Sequence, residues 1–134
     1  MMQPSAFCSL EDRLQRAGIF VGQVFVRGDK KYMFASDIHG SAYYCRKMLD
    51  AFEKEEADRL LLLGDLLYHG PRNDLPKDYA PKEVIPMLNA YKNVIYNVQG
   101  NCDAEVDQMV LEFPIMADYA LLELEGRTFY LSHG

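Results

Sequence analysis

The feature that most narrows the possible folds is an alternation that begins at Lys31. Tyr32–Ser36, Arg59–Leu63 and Asn93–Val98 are short apolar runs of strand length, separated by two longer amphipathic stretches. The first stretch opens at Ser41 and places Cys45, Met48, Leu49 and Phe52 at the i, i+3, i+4, i+7 spacing of one helix face. The second opens at Pro81, a favoured first helical position, and Pro86 is expected to kink that helix or shift its start. Leu60–Leu63 is apolar without alternation, as expected of a strand covered on both faces. Strand, helix, strand, helix, strand predicts parallel βαβ units, an α/β fold class. Further on, Ala104–Leu111 predicts a short helix, and Leu121–Glu125 with Thr128–Ser132 a hairpin about Gly126.

Residues 1–30 read differently. Ser9 is placed to cap a helix carrying Leu10, Leu14 and Ala17 on one face, with Gly18 at its end, and Ile19–Val26 reads as a strand. This stretch is expected to be an extension of the domain that starts at Lys31.

Bulk properties limit the function classes. A chain of 134 residues, 49% apolar and 25% charged, suits one soluble domain. A net charge of −6, with basic residues scattered, disfavours nucleic acid as a partner, because phosphate backbones are held by clustered Lys and Arg. An acidic chain can still act on a small phosphoester when metal ions supply the local positive charge. Three cysteines without CxxC spacing indicate neither a disulfide framework nor a zinc ribbon, and predict reduced thiols in a cytoplasmic protein. The longest apolar runs are too short to span a bilayer, so no membrane partner is expected.

In parallel α/β sheets, ligands gather at the carboxyl ends of the strands. The first predicted strand runs into Ser36-Asp37-Ile38-His39-Gly40, the second into Gly64-Asp65, and the third into Gly100-Asn101-Cys102-Asp103. The last hairpin strand runs into Ser132-His133-Gly134. Each end thus delivers a carboxylate, amide or imidazole to one edge of the sheet. Mixed oxygen and nitrogen donors suit Mn²⁺, Fe or Zn²⁺ better than Ca²⁺. Singly, each has an ordinary alternative. Asp37 could cap the following helix, and His39 could be a loop histidine satisfied by backbone. Gly64-Asp65 could be a plain turn, and Gly100-Asn101 a turn chosen for positive φ. Cys102 could be a ligand or a nucleophile, but a small, half-buried side chain is the simpler reading. Turn chemistry alone gives no reason for all four motifs to stand at strand ends, in order.

Together these residues resemble the calcineurin-like metallophosphoesterases. Asp37-Ile38-His39-Gly40, Gly64-Asp65 and Gly100-Asn101-Cys102-Asp103 look like that family's successive DxH, GD and GN(x)D blocks. The segments Phe34–Ser41, His69–Asn73 and Glu105–Met109 are similar to its small bacterial YfcE-type phosphodiesterase branch. The resemblance covers about Lys31 to Gly134.

It implies a sandwich of two sheets flanked by helices, with two divalent metal ions at one edge. Mn²⁺ is the first expectation, with Fe, Zn or Ni as alternatives. Asp37 and His39 would bind the first ion, Asp65 would bridge, and Asn101 and His133 would bind the second. A hydroxide bridging the ions would attack the phosphorus of a small phosphodiester or phosphomonoester in line. Asn73 and Arg72 would lie near the substrate. An oligomer is compatible with this reading.

Two departures qualify it. Many members of the family carry, where Cys102 stands, a histidine that protonates the leaving group. Without it, esters with good leaving groups should be favoured, by about 10²–10⁴ in rate. The family pattern also continues past the block containing His133, through further strands and a GHxH motif that gives each ion one more histidine. The sequence ends at Gly134. The expectation is therefore a domain incomplete at its C-terminus. Its alternative function is that of an inactive truncated remnant serving as a metal-binding or protein-interaction module.

Overall fold

The three predicted βαβ strands form the centre of one sheet. In the computed structural model, which describes residues 20–70, 74–124 and 126–133, that sheet has the order β1-β2-β3-β4. It comprises β1 (Phe20–Arg27), β2 (Lys30–Ser36), β3 (Arg59–Leu62) and β4 (Ile95–Asn97). β2, β3 and β4 are parallel, with Met33 opposite Leu60 and Leu60 opposite Ile95. β1, which the parallel pattern does not foresee, pairs antiparallel to β2 at one edge, with Phe20 opposite Ser36. The helix expected at Ser9–Gly18 lies outside the described residues.

α1 (Ala42–Lys54) connects β2 to β3, and α2 (Pro81–Asn89) precedes β4. The helical periodicity read for α1 sets its buried face: Cys45, Met48, Leu49 and Phe52 are all buried. Ser41 is its N-cap; the hydroxyl accepts the Tyr44 N–H at 3.2 Å and donates to the Lys77 carbonyl. At its other end Glu56 turns left-handed (φ 55°) and the Ala57 N–H reaches back to the Phe52 carbonyl. α2 starts at Pro81 and runs through Pro86 without a shift of its start. α3 (Glu105–Gln108) is a single turn after β4.

The second sheet is the predicted hairpin, β5 (Tyr119–Leu124) and β6 (Arg127–Ser132), with Leu122 opposite Phe129. The period-2 alternation of strands explains how the two sheets and the helices share the core. Met33, Ala35, Leu60 and Leu62 face the helices, packing with Met48, Phe52, Val84 and Leu88. Their neighbours Tyr32, Phe34 and Leu61 face the other way, onto Ala120, Leu122, Phe129 and Leu131 of the hairpin. The Phe129 ring lies 5.8 Å from that of Phe34 and 6.4 Å from that of Tyr32. The first sheet is thus covered by helices on one face and by the hairpin on the other, which is why Leu60, Leu61 and Leu62 are all fully buried. Among the described residues no helix is long and apolar enough to cross a membrane.

Candidate metal centre

The site grows from the loop after β2. Asp37 (φ 62°) and His39 (φ 50°) are both left-handed, as is Asp65 (φ 57°) in the loop after β3. Left-handed backbone costs a non-glycine residue about 1–2 kcal/mol, so something must hold these residues there. The two loops are zipped together: Asp37 N–H to the Gly64 carbonyl at 3.0 Å, His39 N–H to Asp65 at 2.9 Å, and Gly40 N–H to Leu66 at 2.9 Å. Ser41 caps α1, so the Asp37 carboxylate is free of that task. It accepts instead from the buried Ser36 hydroxyl, at 2.7 Å on Oδ2.

The loops after β3 and β4 touch through glycines. A Cβ on Gly64 would collide with the Gly100 backbone, and one on Gly100 with the backbone and carboxylate of Asp65. Gly64 is left-handed, but Gly100 is not, so close approach rather than positive φ requires glycine there. Asp103 clamps the contact. Its buried carboxylate accepts N–H groups from Asp65 at 2.9 Å, Leu66 at 3.1 Å and Gly100 at 2.7 Å.

Three strand ends and the end of β6 then converge on Asp65, whose residue is 2% exposed. Its Oδ1 accepts the Cys102 N–H at 2.7 Å. Its Oδ2 faces His133 Nε2 at 3.3 Å and His39 Nε2 at 3.7 Å. His39 Nε2 is also 3.2 Å from Asp37 Oδ1. The other ring nitrogens fix the tautomers. His39 Nδ1 lies 2.8 Å from the Tyr68 carbonyl, and His133 Nδ1 2.5 Å from the Leu63 carbonyl. A carbonyl only accepts, so in both rings Nδ1 carries the hydrogen and Nε2 is left as the acceptor of the neutral ring.

An imidazole lone pair facing a carboxylate oxygen is repulsive unless a cation stands between them. The hydrogen bond to Asp37 raises the His39 imidazole above its ordinary value. Burial first, and then the neighbouring Asp37, raise the Asp65 carboxyl. Burial also acts upward on Asp37, but the hydrogen bonds with His39, Ser36 and Asp65 outweigh it and leave that carboxyl lowered. The buried Asp65 and half-buried Asp37 carboxylates, paired with tautomer-locked imidazoles, are a donor set that fits a divalent ion.

Of the residues singled out from sequence, Asp37, His39, Asp65 and His133 are brought together. Asn101 follows on the β4 loop and is exposed, with its amide nitrogen 3.7 Å from Cys102 Sγ. Asn73 and Arg72 lie outside the described residues. Among the described residues, two donor groups have atoms within 4.8 Å of one another: Asp37, Asp65 and His133, and His39, Asp65 and Cys102. Sequence reasoning gave no role to Asp103 or Ser36, nor to the carbonyls of Leu63 and Tyr68.

This geometry can be set beside known proteins. The family model of the calcineurin-like phosphoesterase superfamily domain matches residues 31–134. The chain belongs to the calcineurin-like phosphoesterase superfamily. Within that superfamily it is 49% identical over 104 residues to phosphodiesterase YfcE of Escherichia coli strain K12, a match covering 78% of this chain and 56% of that protein. The YfcE proteins of E. coli strains CFT073 and O157:H7 match to the same extent. The solved structure of E. coli YfcE, described as a phosphoesterase, superposes with a TM-score of 0.75 at 48% identity, over 77% of this chain and 57% of that one. The chain thus spans about half the length of the curated relatives it matches. The parallel sheet with its helices and hairpin is the metallophosphoesterase fold.

Proposed function

We propose that this chain carries the metal centre of a metal-dependent phosphodiesterase acting on small phosphoesters. The observation that carries this reading is the buried Asp65 carboxylate set between the acceptor nitrogens of His39 and His133. The similarity to YfcE, a protein named a phosphodiesterase, supports the substrate class. Asp65 would bridge the two ions, Asp37 and His39 would hold one, and His133 with Asn101 the other. Two divalent ions bound there, manganese first and iron, zinc or nickel as alternatives, supply charge that makes hydroxide available from water and neutralises the phosphoryl oxygens.

The protein's own part is positional. Asp103 and the paired glycines hold the β3 and β4 loops in contact, and the Tyr68 and Leu63 carbonyls aim the two imidazoles. Asn73 and Arg72 are assigned to the substrate side, where a guanidinium would hold phosphate. Residues 31–134 form the metallophosphoesterase domain, and residues 1–30 are an extension from which β1 adds an edge strand. Free thiols at Cys45 and Cys102 suit a reducing, cytoplasmic setting.

The test is hydrolysis of bis(p-nitrophenyl) phosphate by the chain with Mn²⁺, with chelator, and in the Asp65→Ala variant. Turnover that requires metal and disappears in the variant is the expected result. Wild-type turnover in chelator, or in Asp65→Ala, contradicts the assignment. Metal binding without turnover by any of the candidate ions favours the metal-binding module over the enzyme.

A further inference from the structure

The bond that aims His39 has a support of its own. Its partners, His39 Nδ1 and the Tyr68 carbonyl, are 2.8 Å apart, and each is followed in the chain by a residue that meets one and the same ring. Gly40 follows His39, and a Cβ built on Gly40 would stand 2.5 Å from Cε1 and 3.0 Å from Cδ1 of Tyr79. His69 follows Tyr68, and its ring lies edge-on to that of Tyr79 with the centroids 5.1 Å apart. The His69 N–H also donates to the Tyr79 hydroxyl. We propose that Tyr79 is a positioning residue for the metal centre: its ring, set between Gly40 and His69, holds the Tyr68 carbonyl against His39 and so keeps Nε2 turned to the ion. The inference rests on the metal-centre reading and extends it to a side chain that binds no ion itself.

The backbone that carries the ring is fastened on both sides. The Ala42 N–H donates to the Asp78 carbonyl at 2.9 Å, and the Ala80 N–H to the Gly40 carbonyl at 2.8 Å. Tyr79 is thereby pinned beside the residues that follow His39. Asp78 is left-handed (φ 55°), a conformation that persists in a non-glycine residue only where its surroundings hold it. Its carboxylate is held by Arg46 Nη2 at 2.7 Å. The Tyr79 ring and the Leu67 carbonyl then occupy the place that a side chain at position 40 would fill. Removing the ring opens a gap beside both Gly40 and His69, into which the Tyr68-His69 segment can relax. An imidazole whose Nδ1 partner moves loses its fixed orientation, and with it strength as a ligand.

Calorimetric titration of the metal-free chain with Mn²⁺ reads the effect. Tyr79→Ala should weaken binding by about tenfold, the lower end of the range for a lost outer-shell partner. Tyr79→Phe keeps the ring and should lose far less. Leu88→Ala removes a fully buried side chain near the far end of α2 and lowers stability by opening a cavity there. While folded, it should bind as the wild type does. Wild-type affinity in Tyr79→Ala would overturn the proposal. So would an equal loss in Tyr79→Phe or in Leu88→Ala, because the ring beside Gly40 would then not be the cause. No binding by the folded wild type would overturn the metal centre itself, and the inference with it. Should Tyr79→Ala fail to fold, Tyr79→Leu takes its place, keeping bulk without the ring, with the same expected loss and the same contrary result.

Discussion

His133 Nε2, at the end of β6, stands 3.3 Å from Oδ2 of Asp65, at the end of β3, so the two sheets meet in one donor pair. The pair depends on the sandwich. Leu131, two residues before His133, is buried in the same cluster as Leu61, which precedes Asp65 along β3. Packing of the hairpin against the first sheet therefore sets the reach of the imidazole, and the Leu63 carbonyl sets its tautomer.

Asp103 should matter more than its place outside the donor groups suggests. Asp103→Ala leaves three buried backbone N–H groups unpaired. At about 1–3 kcal/mol each, the loss should be on the order of 3 kcal/mol or more. Urea denaturation of both proteins measures it; an unchanged midpoint would show that the clamp carries no stability.

Gly100→Ala tests the close approach of the two loops. Its Cβ would meet the Asp65 carboxylate and backbone, so the bridging group must move. Affinity for Mn²⁺ should fall on the order of 10–100-fold, the range seen when support of a metal ligand is lost. Calorimetric titration reads this directly, and wild-type affinity in the variant would refute the packing argument.

The metal-free chain should lose stability as pH rises. Folding raises the pKa of Asp65, through burial first, and of His39, through its hydrogen bond with Asp37. Such groups contribute fully below their unfolded values, 3.8 and 6.5, and the contribution is lost as pH rises through the folded values. Asp37, with a lowered value, contributes above 3.8 and loses its contribution as pH falls through the folded value. Above about pH 5, then, the titration of these three groups only subtracts stability. Thermal melts in chelator should show the decline, and Asp65→Asn should flatten its lower part. A slope unaltered by that substitution would contradict the cause given. Saturating metal should stabilise more at higher pH, because ligands must shed protons to bind.

Leaving-group dependence offers another check. On the proposed function, Cys102 stands where the family resemblance implies a histidine acid in many members, so turnover should fall by about 10²–10⁴ between p-nitrophenyl and simple alkyl phosphodiesters. Equal rates for the two would mean that another group supplies the proton.

Much of this was legible in the sequence because period and position carry it. The spacing of Cys45, Met48, Leu49 and Phe52 marks the buried face of α1, and Leu60–Leu63 reads as a strand covered on both sides. Gly126 lies between the strands of the hairpin, as expected. Contacts between distant residues were less legible. Nothing local reveals that Asp103 accepts N–H groups from Asp65 and Leu66, or that Gly100 is required by a carboxylate beside it rather than by its own φ. The two readings of His39, loop histidine satisfied by backbone or ligand, prove compatible. The Nδ1 bond to Tyr68 is what leaves Nε2 facing the carboxylates. β4 is shorter than the apolar run suggests, since the Val94 N–H closes a turn onto Tyr91 before the strand begins.

The central claim is that the strand ends form a metal centre bridged by Asp65. Calorimetric titration of the metal-free chain with Mn²⁺, run beside Asp65→Ala, tests it most directly. The account predicts saturable binding with proton release in the wild type and its loss in a variant that remains folded. Equal binding by the two proteins, or no binding by the folded wild type, would contradict it.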